Sequence, residues 1–376
     1  MSFEINNITI NTFNKRLKNY SSNDLKNLFE KNYSILINQL PESKTITRRQ
    51  SLENLKKAYK NESLVLVLGA GVSIDFKVPS WSVLLQNLMV HTIEKEKKDS
   101  EVISKLFNDI FKPSPLIAGR YLQNYFSNND KTSFETMVRK VLYSTAKKNN
   151  PSNQMDEIVK LCAAPGKSPN LDSIITYNFD DILEYNLDKT NMDIPYKSVF
   201  GLGIDIKNNE LPIFHVHGFL PENKKLSKSN QITFGENNYH QQYSDIYSWN
   251  NIIQINKFRD NTCLFIGSSL TDPNIRRLLD IALKQKGNKR KHHYIFKKRF
   301  NIAKLERELI EALKSQEILD EKLKSNLNFD DVLKYLNEVY ERFEENDSAS
   351  FGVKTIWVDD WSEVPKILKQ IRESIA

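Results

Sequence analysis

Cysteine is nearly absent from this 376-residue chain: Cys162 and Cys263 are the only two. Two cysteines exclude a disulfide scaffold and a four-cysteine zinc site. Long apolar runs are missing as well. The longest, Leu64 to Leu68 with small residues up to Val72, is far too short to span a bilayer. The opening MSFEINNITI has no basic stretch ahead of an apolar one. No secretory signal is therefore expected, and the expected compartment is the cytoplasm. Several catalytic signatures are also lacking: no G-x-x-x-x-G-K-[ST] phosphate loop, no G-x-S-x-G elbow, no HExxH and no CxxC. His215 and His217 alone make a poor metal site.

What is present is ordinary globular material. Apolar residues make up 39% and charged residues 27%, and 20 Phe, 15 Tyr and 4 Trp supply core. The net charge of +7 comes from 54 basic and 47 acidic side chains, and 13 of the basic ones are Arg. Lysine mostly decorates solvated faces, so direct nucleic-acid binding is not expected. The one dense basic block, Lys284 to Arg299, reads first as a solvated charge run.

Along the chain, Ser22-Asn23-Asp24 followed by Leu25, Leu28, Phe29, Tyr33 and Ile37 at helical spacing predicts a capped amphipathic helix. A second helix is expected over about 47–60. The first strand, Ser63 to Leu68, is continuously apolar, as in a parallel sheet covered on both faces. It runs into Gly69-Ala70-Gly71-Val72-Ser73, and a helix follows from near Pro79-Ser80-Trp81. Residues 92–170 have helical periodicity and read as an all-α insertion. Further strands are expected at 173–177, 213–217, 263–266, 293–296 and 355–358. Helices are expected at about 181–189, 241–258, 273–285, 303–316, 328–344 and 361–374. This alternation predicts an α/β fold with a doubly wound, mostly parallel, Rossmann-like sheet. The expected domains are a helical extension over 1–60 and a nucleotide-binding domain over 61–376.

Ligands of such sheets bind beyond the carboxyl ends of the strands. Four strand ends carry small or polar groups: Gly69–Ser73, Asn178-Phe179-Asp180, His217-Gly218, and Gly267-Ser268-Ser269-Leu270-Thr271-Asp272. Singly, each has a plain structural alternative. The first can be a tight turn, Asn178 and Asp180 can cap the next helix, and His217 can be a packed histidine. A dinucleotide fingerprint fails, because Ile74 and Asp75 stand where a third glycine is needed.

In order, the four motifs resemble a sirtuin-like domain, of the divergent bacterial type associated with anti-phage defence NADases. Gly69-Ala70-Gly71-Val72-Ser73 matches the GAG-[IV]-S turn. Thr176-Tyr177-Asn178-Phe179-Asp180 matches T-Q-N-I-D, with Tyr177 in place of Gln. His217-Gly218 matches the catalytic His-Gly, and Gly267-Ser268-Ser269-Leu270 the ribose and phosphate loop. Pro79-Ser80-Trp81 leading into Leu84-Leu85 fits the divergent branch, as does the closing strand Thr355–Val358. The four-cysteine zinc module of sirtuin deacylases is absent, and no zinc is expected.

The resemblance implies NAD as substrate and a set of roles. Asn178 holds the ribose hydroxyls and the attacking water. Asp180 orients the carboxamide or stabilises positive charge, and His217 is the general base. Gly69, Ala70, Gly71, Ser73, Trp81, Tyr177, Gly267, Ser268, Ser269 and Asp272 bind the dinucleotide. His215, two residues earlier on the same expected strand face, matters less. The expected activity is hydrolysis of NAD+ to ADP-ribose and nicotinamide by an abortive-infection effector. The alternatives are an NAD-dependent deacylase or ADP-ribosyltransferase, or a non-catalytic nucleotide-sensing subunit. The resemblance further implies a homo-oligomer or a separately encoded partner such as a HerA-family hexameric ATPase; from the composition and short apolar runs, no membrane association is expected.

Overall fold

The computed structural model describes residues 48–93, 114–129, 133–163, 171–190, 194–287, 292–315 and 330–373. The chain runs α1 (Arg48–Lys60), β1 (Leu64–Leu68), α2 (Trp81–Ile93), α3 (Pro115–Asn129), α4 (Phe134–Tyr143) and α5 (Asn153–Cys162). It continues through β2 (Leu171–Thr176), α6 (Ile182–Asp188), β3 (Tyr196–Val199), β4 (Leu211–His215), α7 (Glu236–Ser244) and α8 (Trp249–Asp260). Then come β5 (Thr262–Ile266), α9 (Pro273–Lys286), β6 (His293–Lys298), α10 (Ile302–Ser315), α11 (Asp330–Ser350), β7 (Val353–Val358) and α12 (Glu363–Arg372).

All five side chains of β1 are buried, and they alternate between two cores. Leu64, Leu66 and Leu68 join the helices α1 to α6 and α12 on one face. Val65 and Val67 join α8 and α9 on the other. Each such side chain contributes about 1.5–3 kcal/mol on full burial, so two-sided cover makes β1 the natural centre of the sheet. Among the described residues the sheet has seven strands in the order β3-β4-β2-β1-β5-β6-β7. The β1–β2, β1–β5, β2–β4, β3–β4 and β5–β6 ladders are parallel. The chain moves outward from β1 through β2 to the edge strand β3, returns to β4, and then crosses to β5 on the other flank. The reversal lies between β1 and β5, where a doubly wound sheet opens a crevice beyond its carboxyl edge.

The expected α/β architecture is present, with differences that have local causes. β3 is an added strand: Tyr-Lys-Ser-Val is short, half-exposed and held by its pairing with β4. The single helix expected over 241–258 is two helices. The Asp245 carboxylate accepts the Tyr247 amide at 3.2 Å, a local turn that competes with the helix. The strand expected to reach His217 stops at His215. The Gly218 amide bonds the His215 carbonyl at 3.1 Å, and Gly218 has φ +101°. His215 and His217 therefore do not share a strand face. The amphipathic helix expected at 22–40 lies outside the described residues, as do 94–113 of the helical insertion. Of the basic block, 288–291 lie outside them too. The rest divides between the end of α9 and β6, where His293 and Tyr294 are buried.

Of the described residues, 298–315 and 330–350 belong to a second compact unit. Within that unit α10 packs on α11, Phe300 meets Tyr340 edge-on at 4.8 Å, and Arg299 pairs with Glu341 at 3.1 Å. No described helix is long and apolar enough to cross a membrane.

Candidate active site

The loops after β1 and β5 meet at the switch point, and glycine is what lets them meet. A Cβ on Gly69 would stand 2.6 Å from the Gly267 carbonyl oxygen, and one on Gly71 2.6 Å from the Gly267 Cα. Gly267 has φ +65°, a conformation that favours glycine. The Gly69 amide bonds the Ile266 carbonyl at 3.0 Å, and the Gly71 amide bonds the Gly267 carbonyl at 2.9 Å. The glycines thus serve loop-on-loop packing. Ala70, Gly267 and Ser269 remain exposed along the joined edge. Leu270, buried at φ +55°, pins the second loop to the core. Ser269 and Thr271 hydroxyls bond each other at 2.7 Å.

The loop after β2 carries a hydrogen-bonded relay. The Asn178 amide Nδ2 donates to Ser73 Oγ at 3.2 Å, and Ser73 Oγ donates to Asp180 Oδ1 at 3.1 Å. Asp180 Oδ1 also accepts the Ile182 amide at 3.1 Å, at the start of α6. An ionised carboxylate only accepts, so Ser73 must donate to it and must accept from Asn178. That order turns the Asn178 side-chain oxygen, Oδ1, away from Ser73. Asp180 is therefore both a helix-start acceptor and the far end of the relay. Burial pushes its carboxyl up to about 6, against the hydrogen bonds from Ile182 and Ser73.

Behind this loop sits His215, which is fully buried. Its Nε2 lies 2.7 Å from Glu184 Oε1, and its Nδ1 lies 3.3 Å from the Asn178 carbonyl. Ser198 donates to the same Glu184 oxygen at 2.8 Å. His215 thus braces the Asn178 backbone from inside the sheet. On the outer side, Asp181 accepts the Tyr143 hydroxyl at 2.9 Å and pairs with Lys148 at 2.5 Å, tying the loop to α4.

His217 is 7% exposed and stands between two tyrosines. Tyr177 meets its ring edge-on at 4.8 Å and Tyr239 at 6.0 Å. The Tyr177 hydroxyl donates to Gln254 Oε1, and the Tyr239 hydroxyl to Asp272 Oδ2. His217 Nε2 is buried without a hydrogen-bond partner, 3.8 Å from Asp272 Oδ2. Desolvation pulls the imidazole below its ordinary value, with the Asp272 charge opposing. The neutral form, the one able to accept a proton, therefore prevails near neutral pH. A cavity of ≈ 590 Å³ opens on this side, lined by Val216, His217, Gly218, Thr233, Gln242 and Trp249 among others. Asn178, Ser73 and the glycine loops do not line it.

Of the remaining sequence candidates, Trp81 is half-buried at the start of α2. Its ring lies 4.5 Å from Phe234 and 6.3 Å from Phe179. Ser268 Oγ accepts the Leu270 amide at 3.4 Å, within its own loop. Sequence reasoning missed Tyr239, Gln254 and Glu184. None carries a motif, and each is remote in sequence from the group it touches. Cys162 and Cys263 are buried free thiols, and burial pushes Cys162 up to about 12. Among the described residues no group of three or more His, Cys, Asp or Glu could hold a metal ion.

The fold and these loops define a doubly wound α/β domain whose two glycine loops meet at the switch point. A family model described as SIR2-like domain matches residues 172–319 of the chain. The chain is also 22% identical over 325 residues to an NAD(+) hydrolase ThsA of Enterococcus faecium, covering 86% of this chain and 58% of that protein. It is 22% identical over 324 residues to an NAD(+) hydrolase ThsA of Acinetobacter baumannii, covering 85% of this chain and 55% of that one. The chain thus spans a little over half the length of the curated relatives it matches.

Proposed function

We propose that the chain hydrolyses the nicotinamide–ribose bond of NAD+, releasing nicotinamide, ADP-ribose and a proton. The observation that carries this is the Asn178–Ser73–Asp180 relay, standing beside the joined glycine loops in a chain similar to NAD+ hydrolases. The exposed edge of the glycine loops takes the pyrophosphate, where backbone can approach an anion closely. The Asn178 side-chain oxygen faces the ribose and the incoming water. As nicotinamide leaves, positive charge builds at the anomeric carbon, as in glycoside hydrolysis. Water attacks that carbon and His217 takes its proton. A positioned general base of this kind contributes about 10²–10⁴-fold. Asp180 acts through Ser73 rather than on the substrate.

Such a reaction suits an effector that depletes NAD+ during infection. An enzyme of that kind needs restraint, which assembly with itself or with a HerA-type ATPase would supply. The test is product analysis of NAD+ incubated with the purified chain, with and without an acyl-lysine peptide. Free ADP-ribose and nicotinamide in equal amounts, formed without the peptide, support hydrolysis. Turnover that requires the peptide contradicts it.

A further inference from the structure

The imidazole of His217 has one nitrogen in an unusual position. Nε2 is buried, has no hydrogen-bond partner, and faces Asp272 Oδ2 at 3.8 Å. Asp272 is held there from two directions. Its Oδ1 caps α9, accepting the Asn274 and Ile275 amides at 2.7 and 3.1 Å. Its Oδ2 accepts the Tyr239 hydroxyl and is left pointing at the histidine. The ring itself is clamped edge-on between Tyr177 and Tyr239. A carboxylate can only accept, so the favoured arrangement puts the imidazole proton on the nitrogen that faces it.

We infer that Asp272 is a positioning residue that holds His217 as its Nε2–H tautomer and so leaves the Nδ1 lone pair as the proton acceptor. Tyr239 fixes the second carboxylate oxygen, and the α9 cap fixes the first. At 3.8 Å the attraction is between charge and dipole, and it becomes a hydrogen bond if the ring moves toward Asp272 on substrate binding. Asp272 is the charged group facing the ring. The other titratable neighbours, Tyr177 and Tyr239, are held neutral, because burial and the Asp272 charge push both phenols above their ordinary value. The inference rests on His217 being the base in NAD+ hydrolysis, yet its tautomer can be read without any substrate.

The experiment is nitrogen-15 NMR of the histidine rings in the full chain, with His217→Gln identifying the His217 signals. The parent is expected to show a protonated Nε2 and an unprotonated Nδ1. Asp272→Asn keeps an oxygen for the α9 cap and turns an amide donor toward Nε2. It is expected to move the proton to Nδ1 and to lower kcat for NAD+ at least 100-fold with KM little changed. Tyr239→Phe keeps the ring and the cap, and is expected to keep the tautomer with a loss of about tenfold or less, the worth of one hydrogen bond. A parent already protonated at Nδ1 overturns the inference, as does an Asp272→Asn variant that loses activity with the tautomer unchanged. Expected tautomers in a chain that does not cleave NAD+ support the inference and refute the hydrolase reading alone.

Discussion

Asp180→Asn isolates the electrostatic cost built into the relay. In the parent, burial raises the Asp180 carboxyl from 3.8 to about 6. For a carboxylate raised in the folded state, the charged form is the disfavoured one. Its stabilising contribution is complete below the unfolded value and is lost as pH rises through the folded value. At about 1.36 kcal/mol per pKa unit, the loss between pH 3.8 and pH 6 amounts to about 3 kcal/mol. Asparagine keeps an oxygen for the Ser73 hydroxyl and the Ile182 amide, so it removes the charge and leaves the geometry. The stability of the variant relative to the parent should therefore climb with pH from about 4 to 6, by about 3 kcal/mol, and level off above that. Urea denaturation of both proteins across pH 3.5–8 reads this difference directly. A difference that is flat with pH, or that falls as pH rises, would refute the reasoning. Asp180→Ala, which removes the acceptor as well, should be destabilised at every pH.

Three other outcomes follow from the same geometry. Ser73→Ala breaks both links of the relay and frees the Asn178 side chain, so kcat/KM for NAD+ should fall about tenfold, the worth of one hydrogen bond of about 1–1.5 kcal/mol; unchanged steady-state kinetics would show that Asn178 needs no anchor. Gly71→Ala places a Cβ 2.6 Å from the backbone of Gly267, which cannot move aside as a side chain can. Overpacking of this sort should cost about 1–3 kcal/mol in denaturation and lower activity, and a variant as stable as the parent would contradict it. His293 is buried beside Phe258 and accepts the Cys263 amide at 3.2 Å, and burial pulls its imidazole down to about 4. Its contribution is complete above the unfolded value of about 6.5 and is lost as pH falls toward 4, by about 3 kcal/mol. His293→Gln, which keeps an acceptor for the Cys263 amide, should lack that component, and an identical pH profile would exclude the assignment.

How much of this was legible beforehand depended on distance along the chain. β1 and β5 are buried on both faces, so their continuous apolar runs announced themselves. β3 did not, because its half-exposed Tyr-Lys-Ser-Val acquires structure from pairing with β4 rather than from its own pattern. The helix expected from 273 is present, but Asp272 was expected as a dinucleotide contact, and its cap of the first turn was not foreseen. The relay was not readable. Ser73 lies 105 residues from Asn178 and 107 from Asp180, and only the parallel crossovers bring them together. Tyr239 reaches Asp272 across 33 residues, and its hydroxyl has no motif around it. His217 was found as a candidate but placed wrongly, on a strand rather than in the turn that Gly218 closes. The close packing of Gly69 and Gly71 on Gly267 was not readable either, because the two loops lie far apart along the chain.

The central claim is that Asn178 and His217 act on NAD+ from the two sides of the β2 and β4 loops. The most direct measurement is NAD+ consumption by the purified chain and by its Asn178→Ala and His217→Ala variants, each checked for native circular dichroism. The parent should release nicotinamide and ADP-ribose, and each folded variant should lose that activity by about 10²-fold or more. A folded His217→Ala or Asn178→Ala variant that cleaves NAD+ at the parent rate would contradict the account.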